Sequence, residues 1–275
     1  NDTYFWRVRA IDDLGNAGPA SAGRGILVDT AVGQVTPVSP SDGHDTSNAT
    51  PVVTWTAVTG DSVGIDSYVI EVSKSAAFTS LVFADTVSAA RTSDTIGGMY
   101  NDTYYWRVRA VDHVGNAGTA TAVRGILVDT EISQVTLIAP AAGSFTNDTT
   151  PAFAWLSSSD SSGIDSHVLQ VARDTAFTNL KFVDTVDGLV MADTIGGTKF
   201  LTEDTYYWRV IAIDHAGNTV ASAISFFIVD TTPPTVPALA SPPYGHETTA
   251  TRPAFKWSAS VDTASGFTGS GIYGY

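Results

Sequence analysis

The chain has 275 residues, of which 43% are hydrophobic and 15% are charged, with a formal net charge of −14 at pH 7. Its 28 acidic residues outnumber 14 Lys and Arg, which argues against nucleic-acid binding because phosphates must be neutralised by a basic surface. Cysteine is absent, which excludes disulfides and cysteine nucleophiles, and no apolar run approaches the ~20 residues that span a bilayer, so no membrane span is expected.

Three similar segments recur at intervals of 100 and then 102 residues. They are YFWRVRAIDDLGNAG from Tyr4, YYWRVRAVDHVGNAG from Tyr104 and YYWRVIAIDHAGN from Tyr206. All six tryptophans lie in two recurring positions: Trp6, Trp106 and Trp208, and Trp55, Trp155 and Trp257. We therefore expect units of about 100 residues, cut from a longer array. The predicted domains are the end of one repeat at 1–30, complete repeats at 31–130 and 131–231, and the start of another at 232–275.

Within each unit the hydrophobic pattern has a period of two residues, which predicts β-strands and not helices. In 103–112, for example, Tyr104, Trp106 and Val108 share one face of a half-buried strand. In chain order, the first complete repeat is predicted to form strands A, B, C, C′, E, F and G at 34–39, 51–57, 66–74, 80–87, 92–96, 103–112 and 121–129. Short strands separated by turn-forming clusters are typical of an antiparallel β-sandwich.

Several of these runs are similar to those of a known family. Pro51–Trp55 and the following Gly-Ile-Asp-Ser-Tyr at 64–68 resemble the B and C strands of fibronectin type III domains, and 101–110 resembles their E–F corner and F strand. The segments 77–81 and 176–180 look more like the Ig-like repeats of large bacterial surface and secreted proteins. The resemblance implies an all-β fold, a tandem array of seven-stranded Ig-like (fibronectin type III-like) β-sandwiches, with the hydroxyl of Tyr104 capping the E–F corner.

Catalytic motifs are missing from the sequence. The five histidines are spread along the chain: His44, His113, His167, His215 and His246. They form no pair at metal-ligand spacing, and neither G-x-S-x-G nor H-E-x-x-H occurs. His113 and His215 occupy one F–G hairpin position, where the first segment has Asp13, which indicates solvated turn residues. We therefore predict that the chain is not an enzyme.

Aspartates recur at the ends of the F and G strands and in the B–C loops, and they are the best candidates for specific chemistry. In a fibronectin-like sandwich the B–C and F–G loops lie at the same end as the domain's own N-terminus. Two sets would then converge: Asp29, Asp61, Asp66 and Asp112, and Asp129, Asp160, Asp165 and Asp214. Because Ca²⁺ takes about 6–8 oxygen ligands, this convergence predicts inter-domain calcium sites. The alternative is that these are ordinary hairpin residues whose side chains accept hydrogen bonds from local backbone N–H groups.

Four N-x-[ST] sequons mark exposed turns and are candidate glycosylation sites: Asn1, Asn48, Asn101 and Asn147. The alternative is that Asn-Asp-Thr is simply favourable in turns. The second complete repeat has Glu203 where its E–F asparagine would be, which favours the turn interpretation.

Aromatic residues could offer stacking platforms for sugars, but the pattern favours another role. Trp55 and Trp106 fall on the inward faces of strands B and F, where they are expected in the core. On the outward face, Arg107 and Arg109 are expected to pair across the sheet with Glu71.

The leading functional interpretation is a non-enzymatic structural repeat of an extracellular or cell-surface stalk, fibre or surface layer. Its expected partners are neighbouring repeats of the same chain, with self-assembly into a fibre. One alternative is an adhesin module that binds a host protein or glycan, for which 262–272 offers a B–C loop longer than in the other repeats. Another is a set of spacer domains in a large secreted hydrolase. The two-stranded end pieces are not expected to bury Trp6 or Trp257 alone. If these pieces are ordered, we expect the adjoining chain or a neighbouring subunit to complete them.

Overall fold

The computed structural model describes residues 1–264 and 267–274. Ser265 and Gly266, which belong to the lengthened loop noted above, lie outside the described residues. Throughout the described part the regular elements are β-strands, and no helix there has the length and apolar character needed to cross a membrane. The chain divides into two compact units, Asn1–Glu131 and Ile132–Tyr275.

The first unit opens with an antiparallel hairpin of β1 (Asp2–Trp6) and β2 (Arg24–Val28). Its residues alternate as a strand should, but a two-stranded sheet has no second layer against which to bury one face. The side chain of Trp6 is 52% exposed in this ordered hairpin, an outcome that counts against the expectation that another segment completes it.

Eight strands then build the first complete repeat. They are β3 (Pro37–Ser39), β4 (His44–Thr46), β5 (Val52–Trp55), β6 (Ile65–Ser73), β7 (Leu81–Ser88), β8 (Ser93–Thr95), β9 (Asp102–Asp112) and β10 (Arg124–Val128). One sheet has the order β3-β5-β8, and the other has the order β4-β10-β9-β6-β7. Neighbouring strands are antiparallel except β4 and β10, which are parallel. The seven predicted strands are all present, and β4 is an additional strand.

The core of this repeat lies between the two sheets. Strand β9 alternates buried and half-buried residues along most of its length, as its period-two pattern predicts. Trp55 is 3% exposed and Trp106 is 1% exposed, so both predicted core tryptophans are confirmed. The hydroxyl of Tyr104 accepts a hydrogen bond of 3.0 Å from the backbone N–H of Tyr100, which forms the expected capped corner.

The outer face of the same sheet carries the expected charge pairs. Arg107 Nε lies 2.7 Å from Glu71 Oε2, and Arg109 Nη2 lies 3.7 Å from Glu71 Oε1. The Arg107 guanidinium also stacks on the ring of Phe78, 4.0 Å from its centroid. Phe78 has a φ of 53°, a left-handed conformation that bulky residues rarely adopt. The stacked guanidinium therefore covers the residue at which the β6–β7 loop turns.

The second unit repeats this arrangement. Its strands are β11 (Thr136–Ala139), β12 (Ser144–Thr146), β13 (Ala152–Leu156), β14 (Ile164–Ala172), β15 (Leu180–Asp187), β16 (Ala192–Thr194), β17 (Asp204–Asp214), β18 (Thr219–Ala221) and β19 (Ser225–Val229). The sheets have the orders β11-β13-β16 and β12-β19-β17-β14-β15, and β18 pairs with β17. Trp155 and Trp208 are 1% and 0% exposed, which confirms their predicted place in the core.

The last segment of the second unit is less complete. Strands β20 (Leu239–Ser241) and β21 (Lys256–Trp257) form one antiparallel pair, and β22 (Thr263–Ala264) and β23 (Phe267–Thr268) form another. Trp257 is 45% exposed, because the two strands have no second layer that covers its indole.

Candidate functional site

Three of the four aspartates predicted to converge in the first unit lie together. Asp29 follows β2, Asp61 lies in the β5–β6 loop and Asp112 ends β9. One carboxylate oxygen of each lies within 4.8 Å of those of the other two. We call these three residues the aspartate cluster. The fourth predicted residue, Asp66, is directed elsewhere, since its carboxylate lies 3.5 Å from Nδ1 of His113.

Asp112 is held by the hairpin that joins β9 to β10. Its Oδ1 accepts hydrogen bonds from the backbone N–H groups of Val114 and Asn116, at 2.9 and 2.8 Å. Its Oδ2 accepts a hydrogen bond of 2.8 Å from Asn116 Nδ2. The carboxylates of Asp12 and Asp214 accept from Asn16 and Asn218 in the same way. Asp112 therefore has the role given above as the alternative: it is a hairpin residue whose carboxylate accepts hydrogen bonds from local donors.

Asn116 links this hairpin to the preceding segment. Besides its bond to Asp112, Nδ2 of Asn116 donates a hydrogen bond of 2.9 Å to the backbone carbonyl of Asp29. Sequence reasoning did not assign this role. The sequence does mark this residue, because an asparagine follows glycine at the same place in all three recurring segments, at Asn16, Asn116 and Asn218.

Asp61 is positioned by its own loop. Its Oδ1 accepts hydrogen bonds from the backbone N–H groups of Val63 and Gly64, at 3.1 and 2.9 Å. Gly64 has a φ of 81°, a conformation open to glycine at little cost, and its carbonyl accepts the N–H of His113 at 3.1 Å. The turn thus ties the β5–β6 loop to the β9–β10 hairpin and brings Asp61 beside Asp112.

Negative charge is concentrated in the aspartate cluster. Asp112 is 2% exposed and Asp29 is 9% exposed. Burial raises the pKa of Asp112, but hydrogen bonds from Asn116 and from the backbone outweigh it, and the pKa lies below its usual 3.8. Oδ2 of Asp29 and Oδ2 of Asp61 are both buried and have no hydrogen-bond partner. Two buried acceptor oxygens of the aspartate cluster thus have no N–H group to compensate them.

The corresponding residues of the second predicted set are distributed over both units. Asp129, in the first unit, is 1% exposed and accepts a hydrogen bond of 3.3 Å from Glu131 N. In the second unit, Asp160 Oδ1 accepts from Ser162 N and Oγ, at 2.9 and 2.7 Å. Asp214 ends β17, and Asp165 is an exposed residue of β14. Their grouping with Asp129 stays a prediction.

The asparagines of the four sequons are all exposed, and two of them, Asn48 and Asn101, hold nearby segments by hydrogen bonds. Oδ1 of Asn48 accepts the backbone N–H of Thr50 at 2.9 Å. Oδ1 of Asn101 accepts the N–H and hydroxyl of Thr130, at 2.9 and 2.6 Å. The Asn48 contact is the turn chemistry offered as the alternative, whereas the Asn101 contacts join the E–F corner to the residue that lies two positions after β10. Glycosylation of Asn1, Asn48, Asn101 and Asn147 stays a prediction.

Comparison with known proteins gives one curated relative and several similar structures, whereas no protein-family model matches the chain. Exoglucanase B of Cellulomonas fimi is 30% identical over 245 residues, covering 81% of this chain. The chain spans only 19% of the length of that relative. Similar solved structures include the FN1–FN3 domains of chicken CNTN1, at 15% identity and a TM-score of 0.44 over 82% of this chain and 75% of that one. The fibronectin(III)-like modules of Clostridium thermocellum CbhA match at 19% identity and a TM-score of 0.42, over 71% of this chain and 94% of that one.

Strand order decides the fold of the two complete repeats. In each, a three-stranded sheet faces a larger sheet in which the longest strand, β9 or β17, lies between the last strand of the repeat, β10 or β19, and the first strand of the β6–β7 or β14–β15 hairpin. The tyrosine corner before the longest strand is present at Tyr104 and again at Tyr206, whose hydroxyl accepts from Thr202 N at 3.2 Å. The complete repeats are fibronectin type III-like sandwiches. In the first such sandwich the β5–β6 and β9–β10 loops lie at one end, which explains why Asp61 and Asp112 meet.

Proposed function

We propose that this chain is a non-catalytic spacer module of a larger extracellular protein. The observation that carries the proposal is the alignment of 81% of the chain with 19% of an exoglucanase. The tandem repeats of this chain thus correspond to a minor part of a much longer protein. Of the three interpretations that the sequence left open, this favours spacer domains of a secreted hydrolase.

The use of side chains within the repeats supports a structural role. The same features occupy the same places in both complete repeats: a buried tryptophan pair, a tyrosine corner and an arginine stacked on a phenylalanine of positive φ. A binding or catalytic site would be expected to distinguish one repeat from another. These shared features instead build the sandwich itself, so each repeat contributes a folded unit of fixed size to a longer protein.

The test uses the purified 275-residue chain with soluble and insoluble glucan. We expect no release of reducing sugar and no retention of the chain on the insoluble polymer. Release of sugar that persists through further purification would contradict the non-catalytic assignment. Retention on glucan would instead support the adhesive interpretation. A variant with Trp6 and Trp257 replaced by alanine is the control for non-specific retention through these exposed indoles.

A further inference from the structure

We propose that Asp29, Asp61 and Asp112 form a calcium site that fastens the end of strand β2 to the first complete repeat. The site goes beyond the spacer role, since a spacer requires no metal. Its three carboxylates come from three separate parts of the first unit: the segment after β2, the β5–β6 loop and the end of β9. A cation bound by all three would cross-link segments that are distant in sequence.

The unpartnered oxygens are the observation that points to a ligand. Asp29 is 9% exposed, and its Oδ1 accepts a hydrogen bond of 3.2 Å from Ala31 N, while its buried Oδ2 has no partner. Asp61 repeats this pattern, with Oδ1 bonded to its own turn and a buried Oδ2 without a partner. In each residue one oxygen fixes the side chain and leaves the other free to bind a cation.

Asp112 can add a further ligand without losing its hairpin bonds. A carboxylate offers about four lone-pair sites on its two oxygens, and the hairpin donors to Asp112 are three N–H groups. The bond from Asn116 Nδ2 to the carbonyl of Asp29 fixes the distance between the two segments. The three carboxylates are therefore held in place by neutral donors before a cation binds.

The last segment of the chain provides an internal contrast. Asp230 follows β19 as Asp29 follows β2, and its Oδ1 likewise accepts a backbone N–H, from Thr232 at 3.2 Å. Its Oδ2, however, accepts a hydrogen bond of 2.8 Å from the backbone N–H of Ser270. Ser270 belongs to the lengthened loop, where it precedes Gly271 and Ile272 as Val63 precedes Gly64 and Ile65 in the β5–β6 loop. A backbone group thus satisfies the second oxygen of Asp230, whereas the second oxygen of Asp29 has no such donor.

The chemistry of the cluster favours calcium among cations. All three side-chain ligands are carboxylates, which hard divalent cations prefer, and three acidic residues leave several positions for water and backbone oxygens. Ca²⁺ accepts irregular geometry of this kind, whereas Mg²⁺ requires a near-ideal octahedron and retains its water. With three carboxylates, the expected dissociation constant lies in the range of extracellular calcium modules, roughly 0.1–1 mM.

The experiment measures calcium binding to the full 275-residue chain by calorimetry, and its thermal midpoint in CaCl₂, MgCl₂ and EDTA. The variant is Asp29→Asn with Asp61→Asn, because each asparagine keeps the Oδ1 that accepts local N–H groups. The control is Asp66→Asn, which removes one negative charge at the start of β6, at a side chain directed to His113. It is compared with Asp29→Asn alone, which also removes one charge. Asp129, Asp160 and Asp214 occupy the equivalent sequence positions and are unchanged in the double variant. The measured quantity is therefore the difference in the number of bound ions between the wild type and the double variant.

We expect calcium to raise the midpoint of the wild type and of Asp66→Asn, and the double variant to bind one ion fewer. In EDTA the double variant should melt at or above the wild-type midpoint, because two like charges have been removed. If the double variant does not fold, Asp29→Asn alone should weaken calcium binding roughly tenfold or more, since affinity follows the number of charged ligands. The proposal is overturned if the wild type binds no calcium at about 1 mM, if the double variant binds as many ions as the wild type, or if Mg²⁺ shifts the midpoint equally.

Discussion

The Trp106 indole lies on the inner face of β9 and is 1% exposed within a core that includes Trp55 and Tyr68. We expect Trp106→Ala to lower the free energy of unfolding of the first complete repeat by about 3–5 kcal/mol, because it removes a large buried side chain and leaves a cavity. Denaturant unfolding followed by circular dichroism measures the change.

The control is Trp6→Ala, at the same position of the recurring segment. Because Trp6 is 52% exposed, its replacement should change the unfolding free energy by less than about 1 kcal/mol. Equal effects of the two substitutions would contradict the assignment of Trp106 to the core.

A buried histidine distinguishes the second complete repeat from the first. His167 is 0% exposed and its ring lies 5.7 Å from that of Trp155, while Tyr68 occupies the same position in the first repeat. Burial lowers the pKa of the His167 imidazole below its usual 6.5, against an opposing effect of nearby backbone groups. The unfolded chain therefore takes up a proton at a pH where the folded repeat does not.

It follows that the stability contributed by neutral His167 is complete above about pH 6.5 and is lost as the pH falls below it. Hydrogen exchange monitored peptide by peptide between pH 7 and 5, corrected for intrinsic rates, should show strand β14 losing protection while β6 changes less. His167→Tyr should remove the difference. Equal pH dependence of β14 before and after that substitution would count against this explanation.

At the scale of the element, the end of strand β10 is fixed by a side chain from another strand's corner. Oδ1 of Asn101 accepts the N–H and hydroxyl of Thr130. In the second repeat, Glu203 contacts the hydroxyls of Thr231 and Thr232 instead. An acceptor at this corner is therefore retained although the residue type changes.

We expect Asn101→Ala to lower the free energy of unfolding by about 0.5–1.5 kcal/mol, the usual net contribution of such hydrogen bonds. Asn101→Asp keeps the acceptor oxygen and should cost less than Asn101→Ala. Denaturant unfolding of both variants measures the difference. A larger loss for Asn101→Asp would show that the hydrogen bonds are not what holds the strand end.

Most strands of the sandwich could be predicted from a period of two residues and from the turn clusters between them. Strand β4 was missed, and its length is not the reason, because β3 and β8 have three residues as well and were predicted. Strand β4 is polar, with the sequence His-Asp-Thr, and it is defined by backbone pairing with β10. That pairing is a property of the tertiary structure and not of the local sequence.

The candidate site could be predicted in part, because the repeats place aspartates at the same loops and topology brings those loops together. For Asp66 this reasoning fails, because its side chain does not join the cluster. Ile65 pairs with Asp112 and Ser67 with Val111, so the register shifts at Asp66, which has no cross-strand partner of its own. A bulge of this kind redirects a side chain, and nothing in the sequence marks it.

At the scale of the whole molecule, each compact unit has its own hydrophobic core. One core contains buried residues from Val35 to Val128, and the other from Val135 to Val229. We expect Trp208→Ala to destabilise only the second core, because the Trp208 ring packs against that of Phe153, which in turn contacts Phe227 of the same cluster. Hydrogen exchange of peptides from both units would measure this, and a comparable loss of protection in β9 would contradict it.

The parallel pairing of β4 with β10 determines how the first complete repeat would respond to tension. Strand β4 comes early in the repeat and β10 ends it, and their three residue pairs lie side by side in the same direction. A pull on the two ends of the repeat drives neighbouring parallel strands in opposite directions, so these three pairs are loaded in shear at the same time. The antiparallel hairpin of β1 and β2, pulled from its open end at Asp2 and Val28, separates one pair after another. We therefore expect a complete repeat to unfold at a higher force than the hairpin before it.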